Sequence, residues 1–257
     1  PPPPLPSNQT LTPLQVGIGF PGGAEFIAHV LAICCELHPG GLVCGNDVRN
    51  GFNCCSRDAM FEGLRASPFA HLIPACGLWY AQHGALVLHR GSGTITDRDG
   101  RPIHSAEGAR QGCGFGAFLF CIAYHRALTL TQRAFPDVLI LSYVDDCYTF
   151  HPTNPLRAHE AMQCLRGHLL SRCKLESVPS KAFVYAPSPT TDLSFVPKEM
   201  KGHPDTARLL TFKAVGAYIC GTDPTHIHAA SHAITRDVVS KAKNHRLFTL
   251  LRDTEKH

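Results

Sequence analysis

The sequence predicts an α+β fold in which helices cover one face of a mostly antiparallel sheet. At 257 residues and 44% hydrophobic composition, the chain is long enough to bury a substantial core. Short β-prone runs alternate with stretches of helical periodicity, and several of the runs lie close enough in sequence to pair as hairpins. This order of elements is typical of an α+β sheet.

Apolar spacing and turn residues define the first half of this fold. A helical pattern ends at a Pro-Gly-Gly turn, Ser56 and Asp58 are typical of a helix start, and Asp99-Gly100 is a hairpin signal. The predicted elements are a helix over 24–37, a strand over 42–47, helices from about 56 and over 68–83, a strand over 85–89 and a hairpin over 94–103.

The second half is built around a long apolar helix and a second hairpin. Residues 117–135 are apolar on several faces, which places that helix inside the protein. Two β-prone runs, 138–143 and 147–150, are separated by a tight turn. After them we expect a helix over 155–171, a strand-turn-strand over 174–185, a strand pair over 212–219 and a helix over 234–251.

The turn of the second hairpin carries two adjacent carboxylates, Asp145 and Asp146. Neighbouring carboxylates repel unless a cation neutralises them, so the pair favours a divalent-metal site, with a solvated Asp-Asp turn as the alternative. Asp47 ends a strand that we expect beside the hairpin, so three carboxylates would converge at one sheet edge. Such oxygen ligands suit magnesium, and two such ions can promote displacement at phosphorus.

Composition limits the other classes of site. The twelve cysteines form no C-x-x-C unit and lie mostly in apolar surroundings, which favours free buried thiols over zinc ligands or disulfides. His226, His228 and His232 lack the cysteine or carboxylate spacing that would complete a metal site. The net charge is +4, and the late concentration of Lys and Arg suits a surface that meets a polyanion.

No targeting or membrane segment is predicted. No apolar run reaches membrane-spanning length, and the N-terminus lacks a basic segment followed by an apolar stretch. The chain opens instead on a polyproline-type segment, Pro1-Pro-Pro-Pro-Leu-Pro6, that we expect to be a linker or a cut edge. We therefore expect an intracellular protein, in the nucleus or the cytoplasm, that does not bind a membrane.

Five ordered segments carry a resemblance to a known family. They are DVRNGFN at 47–53, RQGCGFG at 110–116, YVDD at 143–146, and the segments 174–181 and 212–221. In this order they resemble the A to E motifs of reverse transcriptases. The glycine-rich loop 15–23 lacks the Gly-Lys-Ser/Thr of a nucleotide-binding loop and is similar to a segment ahead of the palm in non-LTR (LINE-like) retrotransposon enzymes.

The resemblance implies a right-hand polymerase palm with partial fingers. Its implied divisions are a Pro-rich linker or cut edge (1–13), partial fingers (14–40), the palm with finger insertions (41–221) and the start of a thumb (222–257). The implied activity is RNA-templated DNA polymerisation, a nucleotidyl transfer by a retroelement enzyme. Its implied cofactors are two Mg²⁺ ions, with Mn²⁺ as a substitute, and its partners are an RNA template, a DNA or RNA primer and deoxynucleoside triphosphates.

The resemblance also implies residue roles. Asp47, Asp145 and Asp146 would be catalytic and would hold the metal ions together with the backbone carbonyl of Val48. The implied substrate-binding residues are Phe52 under the incoming sugar, Gln111 and Gly112 along the nascent base pair, and Lys181 near the triphosphate; the implied primer grip is Val215 and Gly216. Alternatives for three of them are ordinary core for Phe52, a solvated turn for Lys181 and a helix-start hydrogen bond for Gln111.

Two departures from the family pattern leave other functions open. Gly51 and Gly114 stand where the family more often has alanine and proline, and only a proline run precedes the glycine-rich loop, where the family has basic fingers residues. One alternative is therefore a catalytically inactive relic or fragment that binds RNA or a protein partner. Another is a palm-type nucleotide cyclase, although the Gln-Gly of the second motif argues against it.

Overall fold

The computed structural model describes residues 11–82, 84–85, 95–110, 112–205 and 207–244. The helices are α1 (Gly23–Leu37), α2 (Gly51–Cys54), α3 (Arg57–Arg65), α4 (Ile73–Tyr80), α5 (Gly116–Ala134), α6 (Pro155–His168) and α7 (Pro224–Asn244). The strands are β1 (Leu42–Asn46), β2 (Gly84–Ala85), β3 (His104–Ser105), β4 (Leu139–Tyr143), β5 (Asp146–His151), β6 (Phe183–Tyr185), β7 (Phe212–Ala214) and β8 (Ala217–Ile219).

A four-stranded antiparallel sheet forms the centre of the fold, with the strand order β4-β5-β1-β6. Strand β1 lies between β5 and β6, and all five of its residues are buried. Two smaller two-stranded sheets, β2-β3 and β7-β8, lie outside it. The predicted antiparallel α+β architecture is confirmed.

Helices cover both faces of this sheet, so the prediction of helices on one face only is wrong. Side chains alternate along a strand. Leu42 and Cys44 of β1 therefore join the core formed by α3, α5 and α6, while Val43 points to the opposite face and joins Ile27 and Leu31 of α1. Strand β1 is apolar at successive positions because both of its faces are buried, a pattern common to two-sided strands.

The β7-β8 hairpin closes the same face as α1. The ring of Phe212 lies 5.1 Å from the Phe183 ring and 4.9 Å from the Tyr185 ring, which joins the hairpin to the β6 edge. This packing brings the loop between β7 and β8 toward the end of the sheet where the carboxylates were predicted.

Several predicted elements are confirmed close to their predicted ends. Helices α1 and α5 and the β4-β5 hairpin agree within one or two residues. The side chain of Ser56 caps α3 by accepting a hydrogen bond from the Ala59 amide at 3.4 Å, as its residue type indicated. Residues 95–103 form the predicted turn, with a bridge between Thr96 and Pro102.

Other boundaries differ for local reasons. Helix α4 begins at Ile73, five residues after the predicted start, because Pro74 occupies its first turn and a 3-10 turn (Ala70–Leu72) precedes it. Helix α7 begins at Pro224, ten residues before the predicted start, because Asp223 accepts the Thr225 amide at 2.8 Å and proline suits the first helical position. Residues 245–251 of that prediction lie outside the described residues.

Two predicted strand regions are only partly observed. Within the predicted 85–89 strand, Ala85 pairs with His104, and residues 86–89 lie outside the described residues. The first half of the predicted strand-turn-strand over 174–185 forms a single bridge between Ser177 and Val48 instead of a strand. The second half of that prediction is strand β6. Just before residue 174, a π-helical turn (Leu169–Cys173) continues helix α6.

The cysteine prediction is confirmed, because all twelve cysteines are free and seven of them are buried. The three late histidines lie on helix α7. His226 shares a 2.9 Å hydrogen bond with the Tyr185 hydroxyl, and the His228 and His232 rings lie 4.4 Å apart. Within the described ranges, no helix is both long and apolar enough to span a membrane.

Candidate active site

The acidic turn is a two-residue connection between β4 and β5. Tyr143 pairs with Asp146, so Val144 and Asp145 form the turn itself. Val144 has a φ of 58°, in the left-handed region that β-branched residues rarely adopt. From below, the hydroxyl of the buried Tyr124 on α5 donates to the Asp145 carbonyl at 3.4 Å. A hydrogen bond therefore connects the turn to the long helix α5.

Sheet register brings Asp47 to the same place. Asn46, the last residue of β1, pairs with Cys147 of β5, so Asp47 and Asp146 leave the ladder at the same end of the sheet. The pKa of Asp146 is raised to about 6, first because protein atoms desolvate its carboxylate and then because Asp145 and Asp47 repel the charge. Burial also raises the pKa of Asp145, and Asp47 adds to that rise.

These mutual effects on pKa show that the three carboxylates predicted from the sequence are neighbours. Lys181 joins them from the turn before β6, with its Nζ 3.4 Å from Oδ2 of Asp47. Both partners of this ion pair are substantially exposed. Over the described part of the chain, no three His, Cys, Asp or Glu side chains are arranged to hold a metal ion. The carboxylates are thus neighbours, and one of them is paired with a lysine.

A cavity of about 290 Å³ opens beside Asp47 and Asp146. Three lysines line it: Lys181, Lys201 and Lys213. Lys201 is placed there by backbone pairing beside β6, where its carbonyl accepts the Val184 amide at 2.9 Å. Lys213 is paired with Asp237, as Lys181 is with Asp47. The cavity thus combines carboxylates at its edge with lysines along its wall, an arrangement suited to an anionic ligand that brings its own cation.

A larger cavity, of about 810 Å³, lies between α3, α4 and the loop before residue 110. Arg57 lines it and donates to the carbonyls of Glu107 and Gly108, at 3.1 and 3.2 Å. None of the three carboxylates lines this cavity. We therefore place the candidate site at the smaller cavity, where the titratable groups converge.

Of the residues predicted to contact the nucleotide, the structure describes Phe52, Gly112 and Lys181. Phe52 lies on α2, stacked on Phe120 with ring centroids 4.8 Å apart and an interplanar angle of 11°. Its carbonyl accepts the Ala109 amide at 2.6 Å, which ties α2 to the segment before residue 110. Gly112 has a φ of 81°, a conformation that glycine adopts without strain. Gln111 lies outside the described residues.

The backbone around Val48 is fixed by the segment before Lys181. The amide of Val178 donates to the Asp47 carbonyl at 3.0 Å, and the amide of Arg49 donates to the Glu176 carbonyl at 2.8 Å. The Val48 side chain between these bonds is buried. That the backbone carbonyl of Val48 binds a metal ion stays a prediction.

The predicted primer-grip residues form the turn of the β7-β8 hairpin. Val215 and Gly216 have φ values of 45° and 94°, and Ala214 pairs with Ala217 across the turn. Positive φ at both central residues is typical of a type I′ turn. The Val215 amide donates to the hydroxyl of Tyr148, two residues beyond Asp146 in β5, at 3.2 Å. This turn and the acidic turn are therefore linked through one strand.

Two contributors to this site were missed in the sequence. Gln15 is fully buried and hydrogen-bonds to the acidic turn, and Tyr148 holds the second turn. The only sequence signal for Gln15 was its place beside a glycine-rich loop. Tyr148 resembled an ordinary strand residue, and nothing in the sequence indicated that its hydroxyl bonds to the second turn.

Comparisons with known proteins concern the fold alone. No protein-family model matches the chain, and no curated protein matches it in sequence. An apo telomerase of Candida tropicalis, truncated from its C-terminal domain, is similar over 70% of this chain and 34% of its own, with 11% identity and a TM-score of 0.45. A telomerase of Candida albicans, in complex with a TWJ fragment of telomeric RNA, is similar over 78% of this chain and 33% of its own, with 13% identity and a TM-score of 0.47. The chain spans about a third of each.

Proposed function

We propose that the chain is an RNA-directed DNA polymerase, a reverse transcriptase of the non-LTR retroelement type. The observation that supports this most directly is the meeting of Asp47, Asp145 and Asp146 at one end of an antiparallel sheet, beside a lysine-lined cavity. In the proposed reaction the primer 3′-hydroxyl attacks the α-phosphate of a deoxynucleoside triphosphate paired to RNA, and pyrophosphate leaves.

The carboxylates fit divalent cations by their chemistry. They offer hard oxygen ligands, and a cation would relieve the repulsion from Asp145 and Asp47, which adds to desolvation in raising the pKa of Asp146. Asp47, Asp145 and Asp146, with the carbonyl of Val48, would hold two Mg²⁺ or Mn²⁺ ions. When bound, such ions stabilise the charge that develops on attacking and leaving oxygens. Lys181 would exchange its Asp47 partner for a phosphate oxygen as they bind.

The remaining residues would position the substrates. Lys181, Lys201 and Lys213 line a cavity of suitable charge for the triphosphate and the product pyrophosphate. Phe52, held flat against Phe120, would lie under the sugar and exclude a ribose 2′-hydroxyl by size. Gln111 and Gly112 would lie along the nascent base pair.

The primer end would be held by the second turn. Val215 and Gly216 lie in the β7-β8 turn, which Tyr148 joins to the strand that carries Asp146. A primer held at this turn would present its 3′-hydroxyl toward the carboxylates. Orientation of this kind accounts for a large part of the rate of a reaction between two bound substrates.

Primer extension on an RNA template with Mg²⁺ tests this proposal. Wild type should incorporate deoxynucleotides only when template, primer and metal are all present. Asp145→Asn should reduce incorporation by at least about 10³-fold, since it replaces a charged carboxylate ligand with a neutral amide. Asp137→Asn is the matched control, because Asp137 lies at the opposite end of the same hairpin in an exposed pair with Arg157. Incorporation that survives in Asp145→Asn would refute the metal role.

A second candidate function is an inactive polymerase-like domain that binds RNA. The ion pair between Lys181 and Asp47 favours it, because a lysine there occupies one of the three carboxylates. This function predicts salt-sensitive RNA binding with no incorporation under any metal. Formation of a product from triphosphate alone, without template, would instead indicate a nucleotide cyclase.

A further inference from the structure

The acidic turn contains a residue in an unfavourable backbone conformation. Val144 has a φ of 58°, whereas two-residue hairpin turns that need a positive φ at this position normally use glycine. A β-branched residue in this region is held there only when the surrounding structure dictates it. The contacts that hold Val144 therefore determine the geometry of the turn that carries Asp145.

The side-chain amide of Gln15 supplies two of those contacts, and the Ser142 hydroxyl supplies a third by donating to the Val144 carbonyl at 3.3 Å. Its Oε1 accepts the Val144 amide at 2.8 Å, and its Nε2 donates to the Val144 carbonyl at 2.9 Å. The same Nε2 lies 3.2 Å from the Ser142 hydroxyl, and Oε1 also accepts the Gly17 amide at 3.0 Å. Gln15 is fully buried. One side chain thus binds both polar groups of the strained residue and is itself fixed by two further bonds.

The backbone around Gln15 is fitted to the hairpin. The amide of Val16 donates to the Ser142 carbonyl at 2.9 Å, and the Ser142 amide donates to the Leu14 carbonyl at 2.8 Å. Gly17 passes so close that a Cβ there would lie 2.5 Å from the Val144 nitrogen. A larger residue than glycine would therefore clash at position 17, and Gly17 allows the Gln15 side chain to reach the turn.

We infer that Gln15 is a positioning residue, which fixes Val144 in the left-handed conformation and so sets the direction in which Asp145 and Asp146 leave the turn. The effect of Gln15 on catalysis rests on the proposed polymerase function, whereas its effect on the turn does not. Gln15 acts only through the backbone of Val144. The chemistry requires an amide, because the side chain must accept one hydrogen bond from Val144 and donate another to it.

Other side chains at position 15 fail for identifiable reasons. Glutamate accepts the Val144 amide but has no proton for the Val144 carbonyl, and its buried charge would lie near two carboxylates. Asparagine has the right groups but is one methylene shorter. Methionine keeps the volume of glutamine and removes both hydrogen bonds, so it is the most informative substitution.

The test compares Gln15→Met with wild type in steady-state primer extension. We expect kcat to fall about 10- to 100-fold with less than about a threefold change in KM, because the reacting groups are misplaced while substrate contacts remain. Gln132→Met is the matched control: Gln132 donates to the Phe135 and Val138 carbonyls, at 2.9 and 3.0 Å, at the other end of β4. An equal loss of kcat in both variants would overturn the inference.

A double substitution separates positioning from general destabilisation. Glycine adopts a positive φ without strain, so Val144→Gly added to Gln15→Met should recover part of the lost kcat, at least about threefold. Failure of the double variant to recover any activity would count against the inference. Should Gln15→Met not fold, Gln15→Asn replaces it, with the same expected loss and the same recovery by Val144→Gly.

Two measurements decide the inference even when wild type proves inactive. Amide hydrogen exchange at Val144 should lose protection in Gln15→Met and keep it in Gln132→Met. Mn²⁺ affinity, followed by the electron paramagnetic resonance of free Mn²⁺, should fall about 10-fold in Gln15→Met alone. If either the Val144 protection or the Mn²⁺ affinity is unchanged in Gln15→Met, the role of Gln15 is refuted. If both fall as expected but wild type is inactive, only the polymerase proposal is refuted.

Discussion

The hydroxyl of Tyr148 accepts a hydrogen bond from the amide of Val215, at 3.2 Å, across 67 residues of chain. Tyr148 lies on the strand that begins with Asp146, and Val215 begins the turn predicted to grip the primer. Val144 and Val215 are thus two β-branched residues with positive φ, and a side chain from elsewhere in the fold holds each of them. Both turns face the end of the sheet that carries the carboxylates.

Tyr148→Phe should weaken the grip on the primer. The change leaves the Val215 amide without its phenolic acceptor and should reduce the free energy of unfolding by about 1 kcal/mol. We expect the KM for primer to rise several-fold with a smaller change in the KM for nucleotide, measured by primer extension at varied primer concentration.

Tyr185→Phe is the matched control for that prediction. Tyr185 is also a buried strand tyrosine, and its hydroxyl accepts the Gly221 amide at 2.5 Å, away from both turns. Because the Tyr185 hydroxyl also shares a hydrogen bond with His226, at 2.9 Å, this change should cost at least as much stability and leave primer KM unchanged. A primer KM that rises equally in both variants would show that the effect comes from destabilisation of the sheet.

The raised pKa of Asp146 predicts a pH-dependent stability when divalent cations are chelated. Because its folded-state pKa, about 6, lies above its ordinary value of 3.8, the folded protein binds more protons between these two values. This contribution therefore stabilises the fold at low pH and is lost as the pH rises through 6. Discounted for solvent screening of an exposed side chain, it amounts to about 1 kcal/mol.

Asp146→Asn should remove the loss of stability at high pH, because asparagine, like the protonated carboxyl group, carries no charge. With EDTA present, we expect the variant to be more stable than wild type at pH 7 by about 1 kcal/mol, and the difference to disappear near pH 4. Urea unfolding of both proteins across this range measures it. A difference that stays constant with pH would contradict the assigned pKa, and added Mg²⁺ should reverse the order at pH 7 if wild type binds the ion.

Lys181→Ala tests the lysine-lined cavity. Because the pair with Asp47 is exposed, its loss should change the free energy of unfolding by less than about 1 kcal/mol. Loss of a charged contact to phosphate should raise the KM for deoxynucleoside triphosphates about 10-fold in steady-state kinetics. Lys198→Ala is the control, since Lys198 forms a similar exposed pair with Asp205 at 3.0 Å. Unchanged nucleotide KM in Lys181→Ala would leave Lys181 as a solvated turn lysine.

Gly45→Ala should destabilise the central strand. A Cβ on Gly45 would lie 2.0 Å from the ring of Phe183, its partner in the adjacent strand β6, so the ring would have to move. We expect a loss of about 1–3 kcal/mol in denaturant unfolding, and a smaller loss when Phe183→Leu is present as well. Gly167→Ala in helix α6 meets nothing within 4 Å and should be neutral or stabilising.

Prediction from sequence succeeded where the signal is local. The Ser56 cap, the β4-β5 hairpin and the position of Asp47 at a strand end each depend on residues a few positions apart. The meeting of Asp47 with Asp145 and Asp146 followed from strand pairing, because both runs are short, apolar and β-prone. The second covered face was missed, although the successive apolar residues of β1 are typical of a strand buried on both faces.

The sequence by itself determined which groups are present: three carboxylates, a lysine in a later turn, and two turns between β-prone runs. Only the tertiary structure decided how those turns are held. The bond from Gln15 to Val144 spans 129 residues, and nothing in the local sequence of either segment requires it. A left-handed valine is unfavourable on its own, so its conformation depends on partners that only chain folding brings within hydrogen-bonding distance.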